Sequence, residues 1–129
     1  MSRSVYDTRF FVEFFYSSDD RVLARARREL ETGRDRLIST IVLHELYRLT
    51  LQKEGRSLAK LRTDIMRTHF NTVDVDPRIA VQAAELRHKY RIPMGDSIIA
   101  ATSQLLKAIC VTDDPHFTKM EEIRTRWIK

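Results

Sequence analysis

The sequence predicts an α/β fold built around a mainly parallel sheet. Short apolar stretches alternate with longer segments in which apolar residues recur at helical spacing, the pattern of strands joined by helices. Acidic residues follow two of the short stretches and stand at the start of a helical segment. Because the carboxyl ends of parallel strands lie at one edge of a sheet and hold the functional site, these acids are expected to converge there.

Composition excludes several classes of protein. The 129 residues are expected to form one domain, over residues 1–129, that buries a core without disulfides. The single cysteine, Cys110, excludes an internal disulfide and fits a reducing compartment, so a cytoplasmic location is expected. No apolar run approaches the about 18 residues of a membrane span, and no membrane association is predicted.

The charge of the chain favours a polyanionic partner. The net charge is +5 at pH 7 and the pI is about 9.7. Arg25 and Arg28 fall on the outer face of a predicted helix, which is typical of a solvated surface and is also suited to phosphate contacts. Many domains are mildly basic without binding nucleic acid, so the charge supports this interpretation without deciding it.

Two strands and four helices are predicted in the N-terminal half. The strands are expected at residues 4–7 and 36–39, and the helices at residues 8–16, 21–32, 40–54 and 57–69. The first strand is too short for its pattern alone to assign. Asp20 is expected to cap the second helix and Gly33 to end it, and Gly55 ends the third.

The first predicted helix carries four phenylalanines on one broad face. We expect most of Phe10, Phe11, Phe14 and Phe15 to pack in the core. Part of this face is alternatively available to a second subunit, because aromatic residues are enriched at interfaces.

The C-terminal half continues the alternation. Strands are expected at residues 72–75 and 108–112, a weak edge strand at 123–128, and helices at residues 76–90 and 96–106. Pro93 and Gly95 interrupt the chain before the last helix, so Asp96 is expected as its N-cap or in its first turn. This helix is apolar nearly all round and is therefore expected to be buried.

Four acids stand out as candidate functional residues. Asp7 and Asp114 follow predicted strands, while Asp96 begins a helix, where it is either a cap or a functional acid. Glu45 lies between two leucines of a helix, and a buried carboxylate there needs a cation or a proton. His44 precedes it, but Arg48 stands where the second histidine of a zinc protease motif belongs, which excludes that class.

The order of four motifs resembles the PIN domain family, and within it the small single-domain toxins called VapC. The motifs are DT with Asp7, STIVLHEL with Glu45, GDSIIAAT with Asp96, and VTDDPHF with Asp114, and they span essentially the whole chain. Each motif is weak, but the four together are specific. Arg9 departs from the small residue that the family often has after DT, and it can alter access or pair with an acid.

The resemblance implies a three-layer α/β/α sandwich with a metal-dependent ribonuclease site. Asp7, Glu45, Asp96 and Asp114 are the implied catalytic residues and ligands of Mg²⁺ or Mn²⁺, hard cations that prefer oxygen. Residues expected to support these ligands are Thr8, Thr112 and Asp113, and residues expected to contact the RNA backbone are Arg9, Arg25 and Arg28. The implied partners are an RNA substrate, an antitoxin protein and a second copy of the chain in a homodimer.

The last motif contains two adjacent acids. Neighbouring side chains of a strand point in opposite directions, so both are not expected to reach one ion. The family pattern T-x-D-x-x-F is filled by Thr112, Asp114 and Phe117, which leaves Asp113 in the variable position.

Two other functions are compatible with clustered acids. A non-catalytic PIN-like module that binds nucleic acid or protein would use them structurally, although such modules usually lose an acid and this chain retains all four. A receiver-like phosphoacceptor domain needs a lysine after a late strand, and Lys119 lies beyond the expected loop.

Overall fold

A computed structural model describes residues 2–32 and 35–128 of the protein. Within these residues, five strands form one parallel sheet in the order β3-β2-β1-β4-β5. The strands are β1 (Arg3–Tyr6), β2 (Asp35–Ser39), β3 (Asn71–Val73), β4 (Ile109–Val111) and β5 (Thr125–Arg126). The predicted α/β class with a parallel sheet is therefore confirmed.

Seven helices in the described residues flank the sheet and complete the three-layer sandwich. They are α1 (Thr8–Tyr16), α2 (Asp20–Glu31), α3 (Thr40–Glu54), α4 (Arg56–His69), α5 (Pro77–Tyr90), α6 (Met94–Leu105) and α7 (Pro115–Thr118). The four-residue helix α7 was not predicted, because one turn is too short to show a hydrophobic period. No helix in this part of the chain is both long and apolar enough to cross a membrane.

Two predicted element ends are wrong in detail. Asp19, not Asp20, caps α2: its backbone is extended and its carboxylate accepts from the backbone N–H of Arg21 at 2.9 Å. The predicted edge strand at 123–128 shortens to Thr125–Arg126, because its flanking apolar residues pack against the core. Gly33, predicted to end α2, lies outside the described residues.

Helix α6 starts two residues earlier than predicted. Pro93 is its N-cap, so Gly95 lies inside the first turn instead of interrupting the chain before it. Proline suits this end of a helix because its missing N–H would find no partner there. Asp96 therefore belongs to the first turn and makes no capping hydrogen bond.

Helix α6 is buried, as its composition predicts. Every residue from Ser97 to Ser103 is buried. The hydroxyls of Ser97, Thr102 and Ser103 donate to backbone carbonyls three or four residues earlier, at 2.7 to 3.0 Å. These bonds satisfy the polar groups, so the helix crosses the interior at little desolvation cost.

The centre of the sheet positions the acids. Strand β1 lies between β2 and β4, and Tyr6 is in register with Val111. The backbone N–H of Asp7 donates to the carbonyl of Val111 at 3.2 Å. Asp7 and the residues after β4 therefore leave the sheet side by side, at its carboxyl edge.

The phenylalanines of α1 divide as expected. Phe10 and Phe11 are fully buried and pack edge-to-face with each other and with Phe70. Phe14 and Phe15 are half-buried at the edge of the same core. The aromatic cluster thus anchors α1, and with it the residues that follow Asp7.

Candidate active site

All four predicted acids line one cavity at the carboxyl edge of the sheet. This cavity, here called the acidic cavity, has a volume of about 490 Å³. Its lining includes Asp7, Glu45, Asp96 and Asp114. The residues come from four separate parts of the chain, and the parallel sheet with its two helices α3 and α6 brings them together.

Asp7 is the most buried of the four acids. Its side chain follows the central strand, is only 2% exposed, and accepts a hydrogen bond from the Thr112 hydroxyl at 2.7 Å. Burial, together with the charges of Asp96 and Glu45 and against the lowering effect of the Thr112 bond, raises the pKa of Asp7 to about 7. The ionised form of Asp7 therefore needs a positive charge nearby.

Glu45 reaches the cavity from α3. Its Oε1 accepts from the Thr8 hydroxyl at 2.6 Å, and its carboxylate lies against the backbone of Gly95 on α6. A Cβ at position 95 would lie 2.5 Å from Oε2 of Glu45. Glycine is thus required for this close approach, a role that the sequence alone did not reveal.

Asp96 and Asp114 meet at a histidine. Nδ1 of His116 lies 2.9 Å from Oδ2 of Asp96 and 3.3 Å from Oδ1 of Asp114. Burial and the charge of Asp114 raise the pKa of Asp96, and the bond to His116 opposes this rise. One potential ligand atom from each of these three residues lies within 4.8 Å of the other two.

His116 was not predicted as a site residue. The only signal in the sequence is its place in the run DPH, where an acid and a proline begin a helix and the histidine comes next. Since α7 is a single turn, nothing in the pattern indicates that this side chain turns back toward Asp96.

Thr8 and Thr112, which were expected to support the acids, each donate a hydrogen bond to one of them. Asp113 does not. Its carboxylate receives two hydrogen bonds from Arg9, at 2.9 and 3.1 Å, and the pair is close to half exposed. Asp113 therefore orients Arg9 at the rim of the cavity instead of supporting the acids.

The three arginines predicted to contact RNA occupy different surroundings. Arg9 lines the acidic cavity, and Arg48, which was not predicted, lines it too. Arg28 is exposed on α2. Arg25 was expected on the outer face of that helix but is half-buried, in a depression that it shares with Glu13 and Trp127.

The residues of the acidic cavity fit a divalent cation. No arginine or lysine in the described part of the chain forms an ion pair with Asp7, Glu45 or Asp96. Burial first, and then neighbouring carboxylates, raise the pKa of both Asp7 and Asp96. Carboxylate oxygens are the donors that Mg²⁺ and Mn²⁺ prefer. The absence of a side chain at Gly95 leaves room for one such oxygen, Oε2 of Glu45.

The model of the PIN domain family matches residues 4–123. The chain belongs to the PIN domain family. The match confirms the resemblance to this family that the four sequence motifs indicated. No curated protein sequence is significantly similar to this PIN domain.

Solved structures share its fold along nearly the whole chain. One is a chain of VapBC2 from Rickettsia felis, in a structure with a DNA fragment from the VapBC2 promoter. It is 18% identical to this chain, with 98% of both chains covered and a TM-score of 0.80. DNA-bound VapBC from Salmonella typhimurium gives 20% identity, full coverage of both chains and a TM-score of 0.78.

VapC20 from Mycobacterium tuberculosis, a toxin that cleaves the sarcin-ricin loop, is also similar. It is 22% identical to this chain, with 94% of this chain and 98% of VapC20 covered and a TM-score of 0.72. Identities this low establish a common fold, whereas activity has to be argued from the residues of this PIN domain.

The burial of Asp7 predicts a pH-dependent stability of the metal-free protein. The pKa of Asp7 is about 7 in the folded state and 3.8 when unperturbed, so the folded state binds more protons between these values. The contribution of this group to the free energy of unfolding therefore falls as the pH rises from about 4 to 7 and is constant above that range.

We expect Asp7→Asn to raise the melting temperature by at least about 3 °C at pH 8 in EDTA, because the amide can still accept from Thr112 but carries no charge. The gain should shrink toward pH 5. Asp74→Asn, at an exposed acid after β3, is the control. An equal gain at both pH values would show that burial of the charge is not the cause.

A second prediction concerns Gly95. We expect Gly95→Ala to leave the fold intact, because alanine favours a helix over glycine by about 1 kcal/mol. The added methyl group displaces the Glu45 carboxylate, so the affinity for Mn²⁺ should fall in calorimetric titrations. The same substitution in a Glu45→Gln background is the control and should have little further effect. Equal losses in the two backgrounds would contradict a role for Gly95 through Glu45.

Proposed function

We propose that this PIN domain is a Mg²⁺- or Mn²⁺-dependent endoribonuclease and acts as the toxin of a toxin–antitoxin pair. The observation that carries the proposal is the convergence of Asp7, Glu45, Asp96 and Asp114 on one cavity. The burial of Asp7, which has no arginine or lysine partner among the described ion pairs, supports a bound cation as the compensating charge of its ionised form.

In the proposed site these four acids hold the cation. When bound, the cation is a Lewis acid that favours ionisation of water and offsets charge that develops on a phosphodiester. Two hydroxyls keep the carboxylates oriented: Thr112 donates to Asp7, and Thr8 donates to Glu45. Orientation fixed in advance lowers the cost of assembling the charged site.

Two arginines at the rim are suited to the RNA backbone. Arg9 and Arg48 both line the acidic cavity, and a planar guanidinium binds phosphate oxygens through paired hydrogen bonds. Asp113 holds Arg9 through two such bonds, which limits the orientations of its side chain. In this proposal, phosphate competes with Asp113 for Arg9 when RNA binds.

The proposed partners follow from the structures that share the fold. Several are complexes described as VapBC or as toxin and antitoxin, including one from Klebsiella pneumoniae. We therefore propose that an antitoxin protein binds this chain. We also propose, from the aromatic face of α1 and the single cysteine, that the chain forms a homodimer and acts in the cytoplasm. Growth arrest on expression, relieved by a co-expressed antitoxin, and a dimer in sedimentation are the expected results. A non-toxic protein that stays monomeric would contradict them.

The adjacent acids after β4 give the most direct test of catalysis. We expect Asp114→Asn to reduce cleavage of mixed RNA by more than about 100-fold at saturating Mn²⁺, since it removes a ligand charge. Asparagine caps helices as well as aspartate does, so α7 should persist. Asp113→Asn should reduce cleavage by less than about tenfold, because its partner is Arg9.

Circular dichroism and thermal unfolding of both variants serve as controls for folding. If Asp113→Asn were inactive and Asp114→Asn active, the result would contradict the assignment of Asp114, and not Asp113, as the cation ligand. Wild-type protein that cleaves no RNA with either cation would instead favour the non-catalytic module.

The arginines can be tested by the salt dependence of RNA binding. In the Asp114→Asn background, which prevents cleavage, we expect Arg9→Gln to reduce the slope of log K against log salt by about 0.7, the value for one single-strand phosphate contact. Arg25→Gln and Arg28→Gln test the predicted contacts on α2. Arg87→Gln, on the exposed surface of α5, is the control and should leave the slope unchanged. An unchanged slope in Arg9→Gln would contradict the phosphate contact.

A further inference from the structure

We propose that His116 contributes a nitrogen ligand, Nδ1, to the cation held by Asp96 and Asp114, and that this ligand makes the site prefer Mn²⁺ over Mg²⁺. The inference deepens the proposed function and rests on the cation site that it requires. It assigns His116 a direct bond to the ion, whereas the four sequence motifs imply a site made only of carboxylates.

The spacing of the donor atoms supports a shared ion. Nδ1 of His116 is 2.9 Å from Oδ2 of Asp96 and 3.3 Å from Oδ1 of Asp114. Adjacent ligands of an octahedral ion with bonds of about 2.1 Å stand about 3.0 Å apart. The imidazole nitrogen thus lies at the distance from each carboxylate oxygen that two neighbouring ligands of one ion have.

Helix α7 fixes the histidine in this position. Asp114 is its N-cap and accepts from the backbone N–H of His116 at 2.9 Å, while the Asp114 N–H donates to the Thr112 hydroxyl at 3.0 Å. Phe117, which comes next, is fully buried and anchors the turn in the core. The His116 side chain remains 43% exposed, so the ring is accessible to an ion entering from solvent.

The chemistry of the donors determines the selectivity. Mg²⁺ favours oxygen ligands and retains water, whereas imidazole is a good ligand for transition metals. Replacing an oxygen or water ligand by Nδ1 therefore strengthens binding of Mn²⁺ more than binding of Mg²⁺. Asp96 and Asp114 supply the charge that both ions need, and His116 discriminates between them.

A structural role gives a different expectation. If Nδ1 only donated a hydrogen bond to Asp96, His116 would orient that carboxylate without contacting the ion. Loss of the ring would then weaken both cations alike. The two roles differ in whether nitrogen is bonded to the metal, which spectroscopy measures independently of catalysis.

The test loads the 129-residue chain with Mn²⁺ and uses pulsed electron paramagnetic resonance. We expect modulation from a directly bonded ¹⁴N nucleus that changes when histidine is labelled with ¹⁵N and disappears in His116→Ala. His44→Ala is the matched control, because His44 is the histidine that lines the acidic cavity beside Asp96 and Asp114. His88→Ala, on the exposed surface of α5, is a remote control. Both controls should retain the nitrogen signal.

Calorimetric titrations give a second readout. We expect His116→Ala to lower the affinity for Mn²⁺ by at least about tenfold and the affinity for Mg²⁺ by clearly less. Bound Mn²⁺ without a nitrogen signal, or a signal that persists in His116→Ala, would overturn this inference and leave the proposed function standing. Failure of the wild-type protein to bind either ion would overturn both.

Discussion

The structure depends on the placement of several carboxylates where water cannot fully solvate them. Asp7 ends the central strand and is 2% exposed, and the charges of Asp96 and Glu45 act on it across the same cavity. Two like charges 4 Å apart repel by about 4 kcal/mol at the effective dielectric constant near a protein surface. A fold that brings such groups together needs a cation or a proton, and the parallel sheet brings them together because its carboxyl ends share an edge.

The surroundings of a second buried acid show that uncompensated carboxylate charge is a feature of the acidic cavity and not of every buried acid. Glu29 on α2 is 8% exposed, but it accepts from the Tyr6 hydroxyl at 2.5 Å and from the Arg126 guanidinium at 2.8 and 3.1 Å. Tyr6 and Asp7 are adjacent in the chain, and burial raises the pKa of both side chains. Glu29, which is hydrogen-bonded to Tyr6, has Arg126 of β5 as its partner, which is the usual condition for burying a charge. Asp7 has no arginine or lysine partner among the described ion pairs and fits an external cation.

The sequence was sufficient for the fold class, the order of the elements other than α7 and the convergence of the acids, because each rests on periodicity or on the shared edge of parallel strands. It was insufficient where a tertiary contact decides. Gly95 looked like a break between segments, yet its importance lies in the Glu45 carboxylate that packs against it from another helix. Asp113 looked like a neighbour of the acids, yet its partner is Arg9, more than a hundred residues away in the chain. Nothing local to these residues encodes either contact.

The run from Thr112 to Phe117 combines the local and the tertiary requirements. The Thr112 hydroxyl donates to Asp7 and accepts from the backbone of Asp114, so one side chain links two strand ends. Asp114 then serves both as an acid of the cavity and as the cap of α7. Phe117 secures this turn in the core, where it is fully buried. In the proposed site, the fold fixes where His116 stands beside Asp96 and Asp114, and the imidazole at that position is what would favour Mn²⁺ over Mg²⁺.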